Sequence, residues 1–376
     1  MSMCHSEVIK NTPEGGRESG IELFRILTML VIVAHHYFVN SGLSTLVYEN
    51  PAFSKNSVFL LLFGWGGKTG INCFVLITGY FMCRSRITLK KFLKLLLWME
   101  FYKIVFYAVF LLTGYQEFQL KSMIKALLPI SSIADGFGSA YLAFFLFIPF
   151  LNILIKGMNK KQHLTLIALC LGVYTVLATL KIRVVFNYVT WFSVIYIIGA
   201  YLRIYPEKWF TNNRVWGLSL LVSLLLSWCS VLAGLWVFIH FGKNLYYYFV
   251  ADSNKPLAVT TAICAFMYFK NLHLGHNKAI NKIAASAYGV LLIHANSDTM
   301  RQWLWRDTLH NVNYIDSEFL FLHAICSVVG IYILCTVIDM LRIQFFERPF
   351  FSWYDKKLYA RRIPQNEIND KYEAGT

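Results

Sequence analysis

Apolar residues fall into ten long runs, near 22–39, 58–82, 92–113, 139–155, 164–180, 188–203, 215–238, 256–270, 283–298 and 318–341, each bordered by charged or turn-forming residues. A bilayer span needs about 20 mostly apolar residues, so the pattern predicts ten transmembrane helices. The second run is the least regular. Gly64, Gly66, Gly67, Lys68 and Gly70 interrupt it, which predicts a re-entrant or interfacial first part and a continuous helix only from near Gly70. The first run does not read as a cleavable signal, because a polar stretch precedes it and His35-His36-Tyr37 stand where a small-residue cleavage site would be. The expected architecture is therefore all-α and polytopic: a cytoplasmic tail (1–20), a ten-helix membrane domain (21–352) and a second cytoplasmic tail (353–376).

Composition agrees. Of 376 residues, 57% are hydrophobic, 17% aromatic and only 15% charged, against about 25% charged in soluble domains. Ten spans leave no room for a second folded domain. Eight cysteines contain no CxxC pair and lie mostly inside apolar runs, which argues against a disulfide framework or a zinc site, and no metal is expected.

The net charge of +15 is a matter of topology. With the N-terminus inside, inner segments hold 24 of the 35 Lys and Arg and outer loops 10, with Lys103 inside the third span. By the positive-inside rule both termini are cytoplasmic, and no nucleic-acid partner is needed to explain the charge. No internal repeat and no matched pair of broken helices marks a secondary transporter.

An ionisable side chain within a span costs about 2.5–3.5 kcal/mol at mid-helix, so each is a candidate for function. The first run is richest. Glu22 and Arg25 are three apart and share a helix face. Arg25 and His36 are eleven apart, within about 20° of whole turns and about 16 Å along the axis, so Glu22, Arg25, Met29, Val33 and His36 form one stripe. His35 points about 100° away. The plain alternative makes Glu22 and Arg25 interface anchors and His36 a partner of a neighbouring helix. An imidazole, with an ordinary pKa of about 6.5, suits proton abstraction from a hydroxyl near neutral pH. His294, in the ninth run, either faces the same interior or makes an interhelical hydrogen bond; His240, His273, His276 and His310 sit in loops without ligand spacing. Arg84, Arg86, Lys90, Lys91 and Lys94 make a dense basic patch after the second run, suited to phosphates of a cytosolic donor, to anionic lipid, or simply to topology.

These residues together resemble the acyltransferase-3 family of bacterial integral-membrane acyltransferases. Ile21-Glu22-Leu-Phe-Arg25 through His36 resembles its first-helix signature. Gly70-Ile-Asn72-Cys-Phe74-Val-Leu-Ile-Thr78-Gly79-Tyr80-Phe81 resembles its second-helix motif, in which Ser is usual at Thr78. Ser286-Ala-Tyr288 to His294 resembles the ninth-helix pattern, and Glu347-Arg348-Pro349 the ending after the last helix. The four motifs stand in the family's order. Lys91 and Lys94 occupy the place of a paired arginine motif, and Glu22 that of a common aspartate; lysine lacks the bidentate fork of arginine.

The resemblance implies transfer of an acyl group, most often acetyl, from acyl-coenzyme A to a hydroxyl of an exported or lipid-linked saccharide at the bacterial inner membrane, by the stand-alone form of the family. No cofactor is bound; acyl-coenzyme A is a substrate. His36 is then the general base, or a residue acylated in passing, with Arg25 and Glu22 holding the interior. Arg84, Arg86, Lys91 and Lys94 are expected at the donor phosphates, and Asn72, Thr78, Tyr288, His294, Glu347 and Arg348 as supporting residues. A carrier of a lipid-linked sugar or small anion would use the same intramembrane Arg and His without covalent chemistry, and a scaffold would need neither. Acceptor, acyl group and oligomeric state are not encoded legibly.

Overall fold

A computed structural model describes residues 18–130 and 136–357. Most of the two predicted tails, including Lys10, Arg17, Arg361, Arg362 and Lys371, lies outside the described residues; 353–357 belong to the last helix. The described chain is helical, with no β-strand among the described residues. In order it forms α1 (Ser19–Val39), α2 (Leu43–Glu49), α3 (Lys55–Gly64), α4 (Gly67–Met82), α5 (Leu89–Leu112), α6 (Leu120–Leu127), α7 (Phe137–Gly157) and α8 (Lys160–Leu171). There follow α9 (Tyr188–Ile204), α10 (Asn213–Phe241), α11 (Pro256–Lys270), α12 (Lys278–Ala284), α13 (Ala287–His294), α14 (Asp298–Gln302) and α15 (Leu320–Arg342).

Among the described residues six helical stretches are long and apolar enough to cross a bilayer: Ser19–Val39, Lys55–Met82, Leu89–Leu112, Phe137–Gly157, Asn213–Phe241 and Leu320–Lys357. They cover the first, second, third, fourth, seventh and tenth predicted runs. The sixth and eighth runs are shorter apolar helices, α9 and α11, of 17 and 15 residues. The fifth is α8 passing into a π-helical turn, Gly172–Leu177, and the ninth is broken at Ala285–Ser286 between α12 and α13.

Packing centres on α4, which touches α1, α9 and α11. The α4–α9 contact is close because two glycines meet there: a Cβ on Gly199 would strike the Leu76 carbonyl, and one on Gly79 the backbone of Tyr196. In a bilayer, where apolar burial does not drive helices together, such close backbone approach is what holds them. α9 is apolar on nearly every face and accordingly buried, with Trp191, Ile195, Tyr196 and Ala200 wholly enclosed.

The same logic explains the glycines of the second run. The expected interruption is there, and continuous helix runs from Gly67, three residues before Gly70. α3 and α4 follow each other with a break of two residues, and regular helix resumes at Gly67. The glycines are there because α1 lies against them: side chains at Gly64, Gly66, Gly67 and Gly70 would collide with Phe38, Val31, His35 and Ile32 in turn. Close packing is their purpose.

Lys103, within the third span, is held by Glu100 at 3.0 Å and by the Leu128 carbonyl. The polypeptide after α6 thus folds down along α5, and α6 leaves Leu120, Ile124 and Leu127 exposed on its apolar face, as suits a helix lying in an interface.

Candidate active site

A cavity of about 1080 Å³ opens between α1, α4, α5, α7, α12, α13 and the end of α15, just above the usual range for small-molecule and cofactor sites of about 300–1000 Å³. Arg25 lines it from α1. Its Nε lies 4.0 Å from Glu22 Oε1, and the Arg25 side chain keeps 34% of its surface exposed while Glu22 keeps 8%. Among the described residues no other acceptor engages the guanidinium, so its outer nitrogens face the cavity with open hydrogen-bonding capacity. On the predicted stripe Glu22, Met29 and Val33 are buried and Arg25 and His36 half-buried; Arg25 lines the cavity, whereas His36 is not among its lining residues.

His36 meets His294 across the α1–α13 contact, Nδ1 to Nε2 at 2.9 Å. Protonation follows from what each nitrogen faces. His294 Nδ1 lies 2.6 Å from the Val290 carbonyl, which can only accept, so this nitrogen carries the proton. In the neutral pair His294 Nε2 is then an acceptor, His36 Nδ1 donates to it, and the lone pair of His36 sits on Nε2. No hydrogen bond reaches that Nε2 among the described residues. His294 is wholly buried and packed edge-on against Trp305 at 6.3 Å, so it fixes the orientation of His36. His35, as its helix angle predicts, turns elsewhere: its Nδ1 donates to the Gly64 carbonyl at 2.5 Å.

The cavity extends along α13 as far as Leu291, three residues and about 4.5 Å of helix axis before His294. Its deep wall is apolar and aromatic, with Phe74, Phe137, Tyr141 and Tyr288. Thr78 lies there too. Its hydroxyl donates to the Phe74 carbonyl at 3.0 Å and so receives the Tyr141 hydroxyl at 2.8 Å. Tyr288 Oη is buried without a hydrogen bond among the described residues, its ring edge-on to Trp98 at 5.3 Å. Asn72 lies outside the cavity. It accepts from Trp191 Nε1 at 2.9 Å and donates to the Ser253 carbonyl at 2.7 Å, tying α4 to α9 and to the chain before α11.

Four basic residues were expected at the donor. Lys94 reaches the cavity, although Glu347 already holds it at 2.6 Å. Lys91 does not: it bonds Ser85 at 2.5 Å and the Arg86 carbonyl at 2.8 Å. Arg84 is exposed and reaches the Arg203 carbonyl, and Arg86 is likewise exposed. Arg348 lines the cavity and donates to Gln344 at 2.9 Å.

Sequence reasoning missed the polar cluster beside this wall. Asp339, fully buried on α15, accepts on one oxygen from Trp98 Nε1 (2.9 Å), Tyr102 (2.8 Å) and Arg342 Nε (2.9 Å). Arg342 also faces Glu347 at 2.9 Å and stacks over Trp98 at 4.8 Å. The signal was available, one carboxylate in an apolar run, three residues before an arginine. The basic lining residues His276, Lys278 and Lys282 were read only as loop or topology residues. Among the described residues no group of three or more His, Cys, Asp or Glu is placed to hold a metal.

The arrangement can abstract a proton at His36 Nε2 and attract an anion at Arg25. A family model described as an acyltransferase domain matches residues 18–340. No curated protein and no solved structure matches the chain.

Proposed function

The chain belongs to the acyltransferase-3 family and is an acyltransferase acting on a non-aminoacyl acceptor, and from that premise we propose that it O-acylates a saccharide at the bacterial inner membrane. The acyl donor is acyl-coenzyme A, entering from the cytoplasm, with acetyl the preferred group. The acceptor is a hydroxyl of an exported or lipid-linked saccharide arriving from outside. The chain crosses the membrane ten times with both termini cytoplasmic, a reading supported by the bias of Lys and Arg toward the inner segments.

The observation that carries this reading is the His36–His294 hydrogen bond, which leaves a fixed lone pair on His36 Nε2. In the reaction Nε2 takes the proton of the acceptor hydroxyl as its oxygen attacks the thioester carbonyl. A carbon–oxygen bond forms, the carbon–sulfur bond breaks, and the imidazolium returns its proton to the departing thiolate. No proton is gained or lost overall. Arg25, with Glu22 beside it, attracts the anionic donor to the same interior stripe.

The test is the ester-linked acyl content of the host's surface polysaccharide in wild type, deletion and His36→Ala at matched protein levels. Loss of the same ester in both mutants is expected. Loss in the deletion alone removes His36 from the chemistry. Transport of a sugar that persists without acyl-coenzyme A would instead identify a carrier.

A further inference from the structure

The donor just proposed carries several phosphates, and the inference below rests on that reading. Three of the four basic residues predicted for those phosphates, Arg84, Arg86 and Lys91, stand away from the cavity. Its rim carries others: His276 on the α11–α12 connection, Lys278 and Lys282 on α12, and Arg25 facing them from α1. Among the described residues, the side chains of His276, Lys278 and Lys282 make no hydrogen bond or ion pair, and Arg25 has only Glu22 at 4.0 Å. The two other basic residues of the lining are already engaged, Lys94 by Glu347 and Arg348 by Gln344.

Two features make this a site for a particular chemistry. Lys278 and Lys282 are four residues apart on α12 and so share one face, one turn apart, neither of them held by a carboxylate; with Arg25 lining the same cavity, they make this part of the lining attractive to an anion. Beyond the rim the lining turns apolar and aromatic, through Ile77, Trp98 and Tyr141 to Leu291, three residues before His294 on α13. A ligand matching both ends has a polyanionic head and a slender uncharged arm.

We propose that Lys278, Lys282 and Arg25 form the phosphate-binding rim for the nucleotide head of the donor, in place of the basic patch before α5. The shared chemistry is a phosphate, and an anionic lipid headgroup is its other source.

The test uses the full-length protein in nanodiscs of phosphatidylcholine alone, with binding of coenzyme A, dephospho-coenzyme A and pantetheine measured by calorimetry for wild type and for Lys278→Gln with Lys282→Gln. The expected result is roughly tenfold weaker coenzyme A binding by the double variant, a smaller loss for dephospho-coenzyme A, and none for pantetheine, which has no phosphate. Equal coenzyme A affinity in the two proteins overturns the rim. So does an effect seen only when phosphatidylglycerol is included, which assigns these lysines to lipid. Wild-type protein that binds none of the three overturns the donor reading itself, and the rim with it. A circular dichroism melt of the variant, unchanged from wild type, separates these outcomes from misfolding.

Discussion

His36 on α1 and His294 on α13 share a hydrogen bond of 2.9 Å, although 258 residues separate them. The bond defines two distinct roles. His36 holds the open lone pair, and His294, itself anchored on the Val290 carbonyl, aims it.

Replacing each should therefore give different losses. His36→Ala is expected to lower turnover by about 10²–10⁴-fold, the usual contribution of a general base. His294→Gln, whose amide oxygen can still accept from His36 Nδ1, is expected to lose about 10–100-fold, as outer-shell partners do. Turnover and KM for acyl-coenzyme A measured in proteoliposomes check this, and KM should move little in either variant. Equal and total loss in both would mean that His294 touches the reacting atoms.

His35 should behave as a packing residue. His35→Ala is expected to retain most of the activity at matched protein levels, because its ring serves the Gly64 carbonyl. Gly67→Leu, by contrast, drives a side chain into the space of the His35 ring and should separate α1 from α4. The measurement is thermal stability in detergent beside activity, and a stable, active Gly67→Leu protein would contradict the packing described.

Asp339→Ala should be among the most destabilising single changes. It leaves Arg342, 5% exposed, with one of its two carboxylates gone, and strips Trp98 and Tyr102 of their shared acceptor. Removing one partner of a buried pair costs about 3–5 kcal/mol. The combined change Asp339→Leu with Arg342→Met should recover part of the loss. Unfolding temperature reads both, and absence of recovery would show that Arg342 is held chiefly by Glu347.

Lys91 and Lys94 should separate. Lys91→Gln is expected to leave KM for the donor unchanged, because its ammonium is turned to Ser85 and the Arg86 carbonyl. Lys94→Gln lets go of Glu347 at the cavity wall and is expected to raise KM several-fold. Steady-state kinetics with varied acyl-coenzyme A distinguishes the two, and matching effects would return both lysines to the donor site.

Much of this was legible in the sequence. The 3.6-residue repeat put Arg25 and His36 on one stripe and turned His35 away, because a single uninterrupted helix obeys its own geometry. The apolar runs located the helices for the same reason. What resisted was anything decided between helices. The glycines of α3 and α4 pointed to the break at residues 65–66 but not to the close approach of α1, since a glycine does not announce whether it frees its own chain or makes room for another. The basic patch before α5 was prominent in sequence, yet Lys91 curls back on its own loop, while the isolated Lys278 and Lys282 come to the cavity only because α12 packs on α1. Asp339 stood out as a carboxylate in an apolar run, but its donors Trp98 and Tyr102 were not legible because they lie more than two hundred residues away.

The two short helices on either side of the break at Ala285–Ser286 carry both ends of the proposed site. Lys282 stands before the break and His294 at the end of α13, twelve residues on. That span is a ruler. On the proposed reading a donor is selected by length as well as by charge, because its anionic head stays beside Lys282 while its reactive carbon must reach past the break toward the histidines.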